Sequence, residues 1–273
     1  MTRSVPVALT IAGSDSGGGA GIEMDLKVFA ALGVFGACAV TALTAQNSRG
    51  VRGAWEAPPD SVVAQIEAVL DDLPVAAAKT GMLSSEPIVL AVADLLTRRP
   101  VPLLVVDPVV VAKDGSRLLS DGGITAVRDR LLPLATLLTP NIREAEALAD
   151  MAVHSKEDAR RAAEKLRALG CTWVLVKGGH LPGDEVTDFL LGPDGAQALS
   201  SPRLPGGPYH GTGCALSAAV AAYLARGRCL PDAVRAARDF LQGLLRTAQA
   251  LGKGSLLLHP TQAGLQPQEE DPS

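Results

Sequence analysis

Short continuous apolar runs alternate along this chain with segments whose apolar positions recur at helical spacing. The continuous runs at 5–12, 35–43, 75–79, 103–107, 134–138 and 172–177 predict strands, with a further strand at 51–57. Segments 184–191 and 197–203 read as a β-pair across the Pro193-Asp194-Gly195 turn. Helices are predicted at 22–32, from an Asp60 N-cap to about residue 73, at 86–98 with Pro87 in the first turn, and from Arg143 after Pro140-Asn141. Three more follow: a Ser155-capped helix with Asp158 three residues on, running to 169, then 213–226 and 232–251. Strands that are apolar without alternation are buried on both faces, so the pattern predicts an α/β fold with a mostly parallel sheet covered by helices. Such sheets bind ligands beyond the carboxyl ends of their strands. Asp107, Asn141 and Lys177-Gly178-Gly179 all fall at predicted strand ends.

Composition supports one large core. Of 273 residues, 47% are hydrophobic but only 3% aromatic, so the core must be built from Ala, Val and Leu. A single domain over 1–261 is expected, with the Gln/Glu/Pro-rich segment 262–273 as a disordered tail. The net charge of −4 and the absence of a basic stripe argue against a nucleic-acid partner. The Arg-rich stretch at 160–167 carries interspersed acids and reads as a solvated helix face. The segment 28–48 has no charged residue, but Gly33 and Gly36 and its polar side chains divide it into a helix end and a strand rather than a membrane span. The first apolar run is short, contains Pro6 and has no processing site after it, which favours a buried strand over a signal peptide. Cys38, Cys171, Cys214 and Cys229 show neither C-x-x-C spacing nor a zinc pattern with histidine, and a disulfide framework is not expected.

Two glycine-rich segments precede helices. One runs from Gly13 to Gly21 and the other is His210-Gly211-Thr212-Gly213-Cys214. Neither is a Walker A loop or a G-x-G-x-x-G fingerprint. Each can be an anion cradle, with backbone N–H groups at a helix N-terminus, or simply a tight turn. Cys214 at a helix start is expected to have a lowered thiol pKa, as either a nucleophile or a base. With His210 four residues earlier, a Cys–His hydrolase is a conceivable alternative. Asp107 and Glu144 have the carboxylate chemistry that suits Mg²⁺ beside phosphate oxygens, although Glu144 is equally explained as a first-turn acid. Gln46 carries a planar amide able to donate and accept at once, as a heteroaromatic edge requires.

Taken in order and spacing, these segments resemble the hydroxymethylpyrimidine/phosphomethylpyrimidine kinase family of the ribokinase-like superfamily. The resemblance rests on residues 9–15 with Gly17–19 and Gly21, Asp25-Leu26-Lys27, 41–47, Lys79-Thr80-Gly81-Met82-Leu83, Asp107-Pro108-Val109, Thr139-Pro140-Asn141, 177–180 and 210–214. It covers about residues 7–258 and implies a three-layer α/β/α fold with ATP and Mg²⁺ as cosubstrate and cofactor. It also implies a cytoplasmic homodimer acting on a hydroxymethyl-pyrimidine and then on its monophosphate, or on the related pyridoxal ring. The implied roles are these: Gly211, Thr212 and Gly213 form the anion hole, and Cys214 is the catalytic base. Gly13, Asp25, Gln46 and Val109 hold the substrate. Asn141, Lys177, Gly179 and Thr212 bind the nucleotide, and Asp107 and Glu144 organise the metal. Tyr209 departs from the pattern, which has a small hydroxyl residue there, and the preceding 205–208 stretch is rich in Pro and Gly.

Overall fold

The computed structural model describes residues 5–110 and 118–260. Strands β1 (Val7–Asp15), β2 (Phe35–Asn47), β3 (Gly50–Glu56), β4 (Val75–Thr80), β5 (Leu104–Val106), β6 (Leu137–Leu138), β7 (Trp173–Val176), β8 (Glu185–Gly192) and β9 (Gly195–Pro202) form one sheet. Their order is β3-β2-β1-β4-β5-β6-β7-β8-β9. The strands from β2 to β7 pair in parallel, and β3, β8 and β9 add antiparallel edges. Sequence and space part company between β1 and β4: the chain builds outward from β1 through β2 and β3, then returns to β1's other side. That reversal opens a crevice at the strand carboxyl ends.

Alternate residues of β1 belong to different layers, as the two-residue period of a strand demands. Val7, Leu9 and Ile11 join a core with α2 (Pro59–Asp72), α3 (Glu86–Arg98), α4 (Asp121–Ala126), α5 (Ile142–Ala149) and α6 (Lys156–Arg167). Ala8 faces the opposite core, made by α1 (Gly21–Ala31), α7 (Thr212–Ala225) and α8 (Leu230–Arg246). The sandwich is the three-layer ribokinase-like α/β/α arrangement. α7 is its central pillar, packed on α1, α8, β1, β4 and β5. Its run from Ala215 to Ala222 is buried, and its small side chains let it come close to every neighbour. The scarcity of aromatics is therefore a packing solution in which alanine supplies the fit.

Several boundaries differ from the sequence reading. Pro58, not Asp60, occupies the N-cap of α2, because the Pro58-Pro59 pair starts the helix and leaves Asp60 in its first turn. The strand expected at 134–138 shrinks to β6, since Pro133 bends 132–134 into a 3₁₀ turn. α8 stops at Arg246, and a short strand β11 (Leu256–Leu257) follows. β11 pairs in parallel with β10 (Tyr209–His210), and Ser255 N–H donates to the Ser48 carbonyl at 2.8 Å. The C-terminal segment thus straps both the β2–β3 turn and the strand that carries His210. No helix among the described residues is long and apolar enough to cross a membrane. The expected tail at 262–273 lies outside the described residues.

Candidate active site

The strand ends deliver the predicted polar residues to one place. Asp107 follows β5, Asn141 follows β6 and Lys177 follows β7, and an isolated bridge joins Asn141 to Lys177. Lys177 Nζ donates to Asp107 Oδ1 at 2.9 Å and lies 4.0 Å from Glu144 Oε2. Asp107 also accepts from Thr139 Oγ1 at 3.0 Å and Ser217 Oγ at 3.1 Å. These partners, with the charges of Lys177 and Lys79, outweigh burial and hold the Asp107 carboxyl below its ordinary range. Glu144 has the opposite balance: burial pushes its pKa up to about 7 against the pull of Lys177, with Asp107 adding repulsion.

Asn141 and Glu144 form a capping box at the start of α5. Asn141 Oδ1 accepts from Glu144 N–H at 3.1 Å, and Glu144 Oε2 accepts from Asn141 N–H at 2.7 Å. The first-turn reading of Glu144 is therefore correct, and the same carboxylate still stands within the charged cluster.

Asn141, Lys177, Gly179 and Thr212 line one cleft of about 290 Å³, together with Gly213 and an apolar side formed by Leu204, Tyr209, Leu216, Leu241 and Leu245. All four residues expected on the nucleotide side meet there. Tyr209, the departure from the family pattern, lines this cleft and donates its hydroxyl to the Pro205 carbonyl at 2.9 Å. Arg203, which the sequence reading passed over, donates to the carbonyls of Gly179, Leu181 and Gly183 at 2.6–2.9 Å and so fixes the loop on that side.

The two glycine segments turn out to differ. In the first, the N–H groups of Gly17, Gly19 and Ala20 donate to the Asp15 carboxylate at 2.8–3.1 Å. Its anion is internal, and it is a turn closed on Asp15. The second segment opens α7, whose first N–H groups have no intrahelical acceptor. Gly211 sits at φ 79°, and a Cβ there would meet the Gly19 carbonyl oxygen at 1.8 Å, so the two segments interlock backbone to backbone. A Cβ on Gly213 would lie 3.4 Å from Lys177 Nζ and 3.7 Å from Asp107 Oδ2, which marks the space between helix terminus and charged cluster.

Cys214 corrects an expectation. Burial pushes its thiol up to about 11 and outweighs the helix terminus, with Asp25 and Asp107 adding repulsion and Lys79 opposing them. Lys79 is fully buried, as is Asp25; the two form an ion pair at 2.9 Å, and Asp25 also accepts from Thr10 Oγ1 at 2.6 Å. Thr10 and Lys79 are register neighbours on β1 and β4, and both reach toward α1. Asp25, expected on the substrate side, is thus held from within the protein by Lys79 and Thr10. The family resemblance gives Lys79 no role, and its signal in the sequence is an isolated lysine ending an otherwise apolar strand.

The remaining substrate-side residues lie away from the cleft lining. Gly13 faces Met82, whose Cε would be 3.0 Å from a Cβ there. Val109 borders a small void beside Asp107 and Gly81. Gln46 lies at the end of β2, with its Nε2 3.2 Å from His210 Nε2. His210 is also 2.8 Å from Asp15 Oδ2. His210 Nε2 is thus engaged by Asp15 and Gln46 rather than by Cys214.

The phosphomethylpyrimidine kinase family model matches residues 15–259. A hydroxymethylpyrimidine/phosphomethylpyrimidine kinase of Streptomyces coelicolor is 51% identical over 249 residues, covering 91% of this chain and 92% of that protein. The Escherichia coli K12 protein of the same description is 44% identical over 249 residues, covering 90% and 93%. Among solved structures, the Bacillus subtilis pyridoxal kinase, described as an ADP complex, superposes with TM-score 0.88 at 36% identity, covering 95% of this chain and 99% of that one. The Clostridium difficile phosphomethylpyrimidine kinase gives TM-score 0.79 at 39% identity, covering 89% and 100%.

Proposed function

Because the chain belongs to the hydroxymethylpyrimidine/phosphomethylpyrimidine kinase family and is a phosphotransferase, we propose that it uses ATP to phosphorylate 4-amino-5-hydroxymethyl-2-methylpyrimidine, and then the monophosphate, as thiamine biosynthesis requires. The observation that supports this most is the meeting of Lys177, Thr212 and Gly213 in one cleft at the start of α7, with Cys214 next along the helix. Phosphoryl transfer asks for positioning and charge stabilisation more than covalent chemistry. The open N–H groups of α7 and the Lys177 ammonium meet the transferring phosphoryl, and the apolar side of the cleft takes the nucleotide base. Cys214 faces the acceptor hydroxyl and takes its proton; Lys79 and the helix terminus favour the thiolate that this role requires.

Asp107 and Glu144 are the residues that would hold Mg²⁺. The fit is chemical: two buried hard-oxygen donors lie on either side of Lys177, and Mg²⁺ takes one or two carboxylates with waters and phosphate oxygens. When bound, the ion neutralises phosphate charge. Gln46 reads the pyrimidine's ring nitrogen and amine, beside Gly13 and Val109. The enzyme works in the cytoplasm, where ATP is available.

A second reading, pyridoxal phosphorylation as sole or additional activity, is favoured by the likeness to the Bacillus subtilis pyridoxal kinase and to a Staphylococcus aureus pyridoxal kinase with pyridoxal bound, the latter at TM-score 0.87 and 31% identity. Incubation with ATP, Mg²⁺ and each ring in turn, followed by chromatography for mono- and diphosphate, separates the readings. The first requires a larger kcat/KM on the pyrimidine and a diphosphate product; no turnover of it by folded protein rejects that reading.

A further inference from the structure

Four residues around Gln46 carry a constraint that distances alone do not reveal. Gln46 presents Nε2 to His210 Nε2 at 3.2 Å and Oε1 to Thr44 Oγ1 at 3.2 Å. Thr44 Oγ1 also lies 2.8 Å from the Ser14 carbonyl, and His210 Nε2 lies 2.8 Å from Asp15 Oδ2.

Proton counting selects the opposite amide orientation. The Ser14 carbonyl can only accept, so the single Thr44 hydroxyl proton points to it, and Thr44 Oγ1 is left as an acceptor toward Gln46. Asp15 is ionised: its two oxygens already accept from Gly17, Gly19 and Ala20 N–H, and those bonds with His210 hold its carboxyl below the ordinary range despite burial. A carboxylate 2.8 Å from a ring nitrogen requires a proton on that nitrogen, so His210 Nε2 is a donor in both its neutral and its cationic form. An amide NH₂ facing that N–H, and a carbonyl oxygen facing a hydroxyl whose proton is spent elsewhere, are both mismatched. A half-turn of the amide repairs both contacts at once, because oxygen and nitrogen exchange places with almost no change in shape.

We propose that His210 is a positioning residue for substrate recognition: its Nε2–H, shared between Asp15 and the Gln46 oxygen, holds the Gln46 amide with NH₂ toward Thr44 and leaves one N–H and one lone pair free. That remaining pair, a donor beside an acceptor, complements a ring nitrogen flanked by an amine, the edge of a 4-aminopyrimidine. The inference rests on the reading of Gln46 as the residue that meets this ring. It adds a physical link, since the histidine that orients the amide also ties the first glycine segment, through Asp15, to the strand entering α7.

The test uses the full chain with Mg²⁺-ATP, the hydroxymethyl-pyrimidine and its analogue lacking the ring amine. Wild type favours the amine-bearing ring. His210→Ala is expected to raise KM for it about tenfold, with the smaller effect on kcat, and to shrink the preference over the analogue. His210→Gln, whose side-chain N–H reaches the place of Nε2, is expected to restore most of both. Ring ¹⁵N spectra of the wild-type protein are expected to show the proton on Nε2 without any ligand. If Gln46→Ala raises KM while His210→Ala changes neither KM nor the preference, the positioning role is rejected. A pure Nδ1–H tautomer rejects it independently of any substrate. If Gln46→Ala itself leaves KM and the preference unchanged, the reading of Gln46 fails, and the positioning role goes with it.

Discussion

Lys79 Nζ lies 2.9 Å from Asp25 Oδ2, and neither side chain has any exposure to solvent. The pair joins β4 to α1 under Cys214, and breaking one side leaves a charge buried without its partner. Asp25→Ala is expected to cost about 3–5 kcal/mol in urea unfolding, whereas Asp25→Leu with Lys79→Met loses much less. Activity separates the two effects: the double variant stays inactive although stable, because Cys214 has lost the cation that favours its thiolate. Equal losses of stability in the single and double variants would contradict this account.

The two glycines of α7's entrance are expected to respond differently to alanine. Gly211→Ala forces a Cβ to within 1.8 Å of the Gly19 oxygen at positive φ, so the segments must separate and the melting temperature falls sharply. Gly213→Ala meets only Lys177 and Asp107 side-chain atoms at 3.4 Å or more, so it folds normally. Its methyl group fills the phosphoryl space, and kcat drops by about 10²-fold or more, the scale of a lost oxyanion donor. Calorimetry and steady-state kinetics on the two variants check the contrast.

Burial pushes the Cys214 thiol up to about 11, so a neutral thiol is expected at pH 7. Iodoacetamide at pH 8 is expected to modify exposed Cys229 first and Cys214 slowly, with the Cys214 rate rising until about pH 11. Mass spectrometry of peptides over time reads this directly. Cys214→Ala is expected to keep its fold and lose about 10²–10⁴-fold in kcat; retention of full activity would remove the base role.

Glu144 makes stability depend on pH. Its folded pKa is raised from 4.5 to about 7, so the folded state keeps a proton that the unfolded chain has released. The contribution is fully present below 4.5 and is lost as pH rises through about 7. Glu144→Gln, which preserves the capping box, is expected to be more stable than wild type at pH 8 and to flatten this part of the pH profile. Denaturant titrations at pH 5 and pH 8 give the sign.

Leu43 and Trp55 are register partners on β2 and β3, and both are more than half exposed. Apolar area at a sheet edge is what a second copy would cover, in keeping with the homodimer implied by the family resemblance. Light scattering is expected to give twice the chain mass, and Trp55→Lys to lower it.

Legibility in the sequence tracked the range of each interaction. Strand ends and helix caps were readable because Asp107, Asn141, Lys177 and Ser155 obey local rules. Pro58-Pro59 displaces the expected Asp60 cap by an equally local rule, the preference of proline for the first helical turn. The closure of the first glycine segment on Asp15 was hidden, since nothing in a glycine run says whether its N–H groups face a ligand or a neighbouring carboxylate. Cys214 misled because the helix terminus is a local feature while its burial comes from β4 and α1, far away in the chain. For the same reason, the ion pair of Asp25 with Lys79 on β4 could not be read from the sequence around Asp25.

The C-terminal strap has a bearing on how the protein is made. β11 pairs with the strand holding His210, Leu256 N–H donates to the Pro208 carbonyl at 2.8 Å, and Ser255 reaches the β2–β3 turn. A chain emerging from the ribosome can complete most of its sheet before these residues appear, yet the surroundings of Gln46 and His210 wait for them. The surroundings of Gln46 and His210 are therefore closed only by residues that follow every strand of the large sheet in the chain.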